Sequence, residues 1–314
     1  MISVALCTYN GALYIFEQIK SILQQTLPVD EIVVCDDGSN DNTLSIIESF
    51  QGNTTTNIRI YRNVSNIGVS ANFQKAIDLC HGDIIFLSDQ DDIWHQEKVK
   101  IITNFFQENK DKSIVFSNGL LIDNKGSLIG NKTLWDTIGF TPRAQEFLTD
   151  GFGPELFSCE NRATGATMAV RRTFIEGKKF LNICNDAILH DGALAMLGIA
   201  YNKLGYIYHP LINYRIHLGQ QVGIGEAINS PLSDNAKDTS PLCEYWYLMP
   251  LPSPLHERIA FIRKRHRMKY QPMGAFRMIG SMCHYSKYYR CKWFSFFFFD
   301  IMQWSVVMWR RIFK

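Results

Sequence analysis

Residues 86–94 read FLSDQDDIW, and three carboxylates, Asp89, Asp91 and Asp92, follow directly on the apolar run DIIFL at 83–87. A second acidic pair, Asp36-Asp37, closes another apolar run, EIVVC at 31–35. Carboxylates crowded at the end of a buried strand repel one another and are partly desolvated, and both effects disfavour the charged form. A hard divalent cation offsets that cost. Asp89-x-Asp91 presents oxygen ligands suited to Mg²⁺ or Mn²⁺, ions that keep several waters and bridge to phosphates. A bare D-x-D also occurs as a solvated acidic loop capping the next helix, so its placement has to decide. Asp37 has two readings of its own, a hydrogen-bond partner for a base or ribose, or a turn aspartate ahead of Gly38.

The elements that must position these groups alternate. Strand-like runs at 2–7, 31–35, 58–61, 83–87 and 113–117 are separated by helical patterns. The first of these carries Leu13, Phe16, Ile19, Ile22 and Leu23 on one face. Asn40 or Asp41 can cap the second, and the third, with Phe73, Ala76 and Ile77, follows a turn at Asn66-Ile67-Gly68. Strand and helix in alternation predict a mostly parallel, Rossmann-like α/β sheet with helices on both faces. The Val- and Ile-rich runs suit strands covered on both sides. Such sheets bind ligands at the carboxyl ends of their strands, where both acidic clusters fall. After residue 120 the alternation weakens. Residues 165–171 and 205–216 read as strands and Asp191–Leu197 as a short helix, while 219–256, rich in Gly, Pro, Ser and Asn, reads as linker.

The chain has 314 residues, 46% of them hydrophobic, enough for one large α/β domain with an appendage. Its net charge of +2 divides unevenly. Residues 1–256 hold 19 Lys and Arg against 28 Asp and Glu, whereas 257–314 hold 13 against 2. A basic tail on an acidic body suits an anionic partner. Residues 263–269 (RKRHRMK) are basic, and 293–309 (WFSFFFFDIMQWSVVMW) are aromatic and apolar but for Asp300 and Gln303. That run falls short of the ~20 residues of a spanning helix, so it predicts an in-plane amphipathic helix on an anionic membrane surface. Packing on the catalytic domain or on a second subunit is the competing role. The eight cysteines show no C-x-x-C spacing, which suits buried, reduced thiols, and the histidines are not spaced as zinc ligands. MISVALCTYN lacks a basic leader and reads as a strand. A cytoplasmic protein held peripherally at the inner face of the cell membrane is expected, and no nucleic-acid partner.

VALCTYNG, VVCDDGSND, NIGVSANF and FLSDQDDIW, in that order, resemble the family 2 glycosyltransferases of the GT-A fold. The form SDQDDIW is similar to the branch of bacterial rhamnosyltransferases and related O-antigen and capsule enzymes. TGATMAV at 164–170, HDG at 190–192 and YRIH at 214–217 resemble that branch's later motifs, and the resemblance covers about residues 1–218. It implies that Thr8 and Tyr9 line a base pocket, Asp37 binds base or ribose, Asp89 faces the ribose and Asp91 holds a metal on the diphosphate. Asp191 matches the general base of inverting members. His190 stands where many members carry Glu, so the motif does not make it catalytic. Arg215 could reach the diphosphate, and His217 could be a further metal ligand beside Asp91 and Asp89. The resemblance thus implies metal-dependent, inverting transfer from dTDP-rhamnose or a UDP-hexose to a hydroxyl of a glycan acceptor, one commonly linked to lipid. The Q-x-x-R-W motif of processive synthases is missing, since Gln220-Gln221 lead into Val-Gly-Ile-Gly. Two alternatives stand beside it. A nucleotidyltransferase would call for a basic, Gly-rich first loop, but Thr8–Ala12 holds neither Lys nor Arg. A non-catalytic membrane-bound scaffold would have no use for two acidic strand ends together with Asp191.

Overall fold

The computed structural model describes residues 1–157, 161–178, 184, 188–220 and 253–269. The first strands fall where the apolar runs place them: β1 (Ile2–Thr8), β2 (Glu31–Asp36), β3 (Asn57–Arg62) and β4 (Ile84–Ser88). Between them lie α1 (Ile15–Leu23), α2 (Thr43–Glu48) and α3 (Val69–Leu79). β2 is buried along its whole length and β1 and β4 nearly so. The first helix keeps Ile19, Ile22 and Leu23 of its patterned face against the core, with Ile15 in place of Phe16. Backbone bonds from Tyr14 and Ile15 to the Gly11 carbonyl delay its start, so Ile15, Ile19 and Ile22 are buried while Leu13 and Phe16 are exposed.

β1 pairs in parallel with both β2 and β4, and β2 with β3. The order β3-β2-β1-β4 means that the chain steps outward in one direction and then returns to the other side of β1. The ends of β1 and β4 therefore flank a topological switch point, where such sheets leave a crevice. Leu6 sits opposite Ser88 in that register.

Beyond β4 the sheet is mixed rather than mostly parallel. After the short β5 (Ile93–Trp94) and α4 (Lys98–Glu108), β6 (Ile114–Ile122) does not lie next to β4. β8 (Met168–Arg171) inserts antiparallel to both. An antiparallel neighbour needs no crossover helix, so alternation along the chain does not reveal which strand fills that slot. β9 (Leu204–Arg215) runs parallel to β6, β5 pairs antiparallel with β9, and β7 (Leu128–Thr133) pairs with β6. Among the described residues nine strands form this one sheet. Four helices, α5 (Leu134–Thr137), α6 (Pro142–Thr149), α8 (Arg172–Ile175) and α9 (His190–Ala200), complete the description of the unit spanning residues 1–151 and 161–237, together with a 3₁₀ turn at Gly165–Thr167. Val4, Leu6, Ile19, Val34, Phe86, Ile102, Val115 and Ala169 belong to its core.

A second unit comprises residues 152–160 and 238–314. Its described elements are α7 (Gly153–Phe157) and α10 (Ser253–Lys269), joined by a bidentate pair in which Arg258 donates to Glu155 at 2.8 and 2.6 Å. α10 runs across the linker–tail boundary expected at 256/257. Most of the expected linker and all of the aromatic segment at 293–309 lie outside the described residues. Among those described, no helix is long and apolar enough to cross a membrane.

Candidate active site

A cleft of about 270 Å³ opens at the β1/β4 switch point. Thr8 and Tyr9, at and just beyond the end of β1, line it together with Asp37, Asp89, Asp91 and Asp191. Two loops meet over β1. The Tyr9 N–H donates to Gln90 Oε1 at 2.8 Å, and Gln90 Nε2 donates back to the Tyr9 carbonyl at 3.1 Å. This reciprocal pair needs Gly11, where a Cβ would stand 2.2 Å from Gln90 Oε1. Asp36 closes the next loop by accepting from Thr8 Oγ1 at 3.1 Å, from the Ser39 N–H at 2.9 Å and from the Ser39 hydroxyl. Asp37 reaches the cleft wall with both oxygens engaged. They accept from Asn63 Nδ2 (2.7 Å), the Ile67 N–H (2.8 Å) and the Gly68 N–H (3.0 Å), which shapes the loop ahead of α3.

The aspartate motif is built from below. Gln18, fully buried on α1, bonds Ser88 Oγ at 2.7 Å, and in the amide orientation that satisfies its neighbours its oxygen accepts from Trp94 Nε1 at 3.0 Å. Asp89 is enclosed, and burial, reinforced by Asp91 and Asp191 and opposed by Lys98, pushes its carboxyl up to about 7. Asp92 lies deeper and does not line the cleft. Its Oδ1 accepts from the Arg215 N–H at 2.9 Å, its Oδ2 has no partner, and burial with Asp91 and Asp89 beside it raises its pKa well above the carboxylate range.

Asp91 and His217 meet, with His217 Nε2 2.9 Å from Asp91 Oδ2 and the imidazole 4.6 Å from the Tyr14 ring. The Gly219 N–H donates to His217 Nδ1 at 3.2 Å, so Nε2 carries the proton and gives it to Asp91 in this arrangement. Carboxylate and imidazole together form a donor set that fits Mn²⁺. Among the described residues, however, no three His, Cys, Asp or Glu side chains converge as a metal site, and Asp89 does not join the pair. Arg215 does not line the cleft. At 1% exposure its guanidinium is committed to the Asp91 carbonyl (2.7 Å), the Asp123 carbonyl (3.2 Å) and Glu17 Oε2 (2.7 Å), and it lies 4.6 Å from the Tyr14 ring. Its observed contacts hold the floor under Asp91.

Asp191 enters from the opposite wall, in the first turn of α9. Its Oδ1 accepts from the Gly192 N–H at 2.6 Å and its Oδ2 from the Gly165 N–H at 3.3 Å. His190 packs behind it, 4% exposed and stacked on Phe73 at 3.9 Å, with neither ring nitrogen bonded. Burial lowers its pKa, with Asp191 opposing, so the ring is neutral. The sequence motifs contain other cleft residues that spacing alone did not single out. Gln90 lies inside SDQDD, Asn72 and Phe73 inside NIGVSANF, and Thr164 and Gly165 open TGATMAV. Asn161 carries no such signal.

Residues 3–156 match the glycosyl transferase family 2 model. The chain is 33% identical over 231 residues to the dTDP-rhamnosyl transferase RfbG of Shigella flexneri, covering 69% of this chain and 73% of that one. It is 28% identical over 245 residues to the chondroitin synthase of Escherichia coli, but spans only 35% of that protein's length. Among solved structures, S. aureus TarS residues 1–349 in complex with UDP-GlcNAc superposes with a TM-score of 0.57 at 17% identity, covering 82% of this chain and 70% of that one, which shows a shared GT-A fold. The mixed sheet, the acidic crevice at its switch point and these similarities converge on one assignment: the chain belongs to family 2 of the glycosyltransferases.

Proposed function

We propose that the protein transfers a sugar from a nucleotide-diphosphate sugar, dTDP-rhamnose or a UDP-hexose, to a hydroxyl of a lipid-linked glycan acceptor in surface polysaccharide synthesis, with inversion and with a divalent cation. The observation that carries this proposal is the meeting of Asp89 and Asp91 with Asp191 across one cleft. The name of the rhamnosyl relative favours a dTDP-linked donor, and the UDP-GlcNAc bound by TarS keeps UDP-linked hexoses in view.

In this mechanism Thr8, Tyr9 and Asp37 flank the base and ribose, and Asp89 faces the ribose. Asp91 would hold Mg²⁺ or Mn²⁺, an ion that would supply Lewis-acid stabilisation of the departing diphosphate. Ligation by His217 would move its ring proton to Nδ1 and give up the bond from Gly219. Arg215, its guanidinium paired with Glu17 and bonded to the Asp91 carbonyl, keeps Asp91 in place. Asp191, its oxygens fixed by two backbone N–H groups, takes the proton of the acceptor hydroxyl as that oxygen attacks the anomeric carbon. Attack opposite the leaving group inverts the centre. The acceptor class is supported by the basic, aromatic composition of residues 257–314, which suits an anionic membrane face.

The test is a thermal-shift screen of dTDP and UDP with and without Mn²⁺, followed by turnover of dTDP-rhamnose, UDP-glucose and UDP-GlcNAc read as nucleoside diphosphate release. A stabilisation by one diphosphate that needs Mn²⁺ is expected, with transfer from the matching sugar. Consumption of a nucleoside triphosphate with a sugar phosphate would instead identify a nucleotidyltransferase.

A further inference from the structure

Lys98 opens α4, is fully buried and takes no part in the chemistry above. An ammonium in a protein interior is costly unless it is paired and hydrogen-bonded. Lys98 Nζ donates to the Ala166 carbonyl at 2.8 Å and stands 3.9 Å from the Trp94 ring centroid. The charged groups that bear on it are Asp92 and Asp89, and burial lowers its pKa to about 7 against their pull. One residue before Ala166, the Gly165 N–H holds Asp191 Oδ2. One residue after it, Thr167 closes the turn by donating its N–H (3.0 Å) and hydroxyl (2.7 Å) to the Thr164 carbonyl.

We propose that Lys98 is a positioning residue that couples the two halves of the site, hanging the Gly165–Thr167 turn, and through it Asp191, from the start of α4, just beyond the aspartate motif. The two segments it joins are 68 residues apart in sequence. The turn is closed on itself, so a shift of the Ala166 carbonyl moves the Gly165 N–H and the oxygen it holds. The inference rests on the transferase assignment and on Asp91 as the cation's ligand.

The test separates positioning of Asp191 from general loosening in the full-length protein. Mn²⁺ affinity with dTDP or UDP present is read by calorimetry, kcat and donor KM by turnover, and integrity by the unfolding midpoint. Lys98→Met removes the tether. Its kcat should fall ~10²-fold, the scale of an ångström-sized misplacement, with donor KM nearly unchanged. Its Mn²⁺ affinity should stay within about 3-fold of wild type, because Asp91 and His217 are not touched by the tether. Thr167→Val removes the hydroxyl half of the turn's closure and leaves Lys98 in place, so kcat should fall, by less than in Lys98→Met, with Mn²⁺ affinity unaltered, which supplies a second route if Lys98→Met does not fold. Wild-type kcat in both variants overturns the proposal. So does a joint loss of kcat, Mn²⁺ affinity and unfolding midpoint, the pattern of general loosening. A wild-type protein that binds no nucleoside diphosphate overturns the transferase assignment itself, and is told apart because it needs no variant.

Discussion

At Gly165 a single missing side chain decides whether Asp191, the proposed base, is held in place. A Cβ built there stands 2.4 Å from His190 Nε2, and the stack on Phe73 leaves the imidazole little room to retreat. Gly165→Ala should therefore push the Gly165 N–H and Asp191 apart, lowering transfer at least ~10-fold, as expected for a displaced general base, with dTDP or UDP binding kept. Equal turnover of variant and wild type would show that this contact does not control the base. The two central carboxylates separate in the same way. Asp91→Asn should remove most metal-dependent binding of the nucleoside diphosphate, since one charged ligand is lost from a site with few. Titration with and without Mn²⁺ checks it, and an unchanged metal dependence would falsify the assignment. Asp191→Asn should keep that binding and lower transfer by at least ~10²-fold. Wild-type turnover in that variant would remove Asp191 from the mechanism.

At the scale of elements, the two edges of the parallel strands are built for opposite ends. At the carboxyl edge, Asp92 is buried with one oxygen unpartnered, a cost tolerated where a ligand binds. At the amino edge, Glu31 is equally buried but fully met, accepting from Ser3 Oγ (2.5 Å), the His81 N–H (2.6 Å) and Arg59 Nη2 (2.7 Å), so that it ties β1, β2 and β3 together. Burial pushes its carboxyl up, but those bonds together outweigh burial and leave it below its ordinary value of 4.5. A carboxyl lowered in the folded state stabilises the fold above the unfolded value, and that contribution fades as pH falls through the folded value. Glu31→Gln should cost about 2–3 kcal/mol at pH 7, the scale of hydrogen bonds to a charged group. Urea unfolding measures it, and the gap to wild type should shrink as pH drops below 4.5. A gap that stays constant with pH would mean the charge contributes nothing.

At the scale of the whole molecule, the open question is where the enzyme works. α10 continues to Lys269 and holds Arg258 against Glu155, so the cut that removes the aromatic tail while sparing this pair lies after residue 269. Flotation on phosphatidylserine-containing vesicles should recover the full chain and lose most of the shortened one; equal flotation of both would assign membrane binding elsewhere. The sequence by itself determined the acidic strand ends, the first four strands and the order of the motifs. Apolar runs closed by turn residues are local signals, and in a parallel α/β unit local order implies which edge they reach. Tertiary structure alone decided what lies next to what. Insertion of β8 between β4 and β6 brings the Gly165 turn beside the aspartate motif, and no periodicity encodes a neighbour from eighty residues away. The burial of Lys98 and the stacking of His190 on Phe73 depend on that placement. So does the turning of the Arg215 guanidinium away from the cleft. A charged residue reads the same in sequence whether it meets solvent, a substrate or three carbonyls; only the surrounding fold sets the cost of desolvating it and supplies the partners that meet that cost.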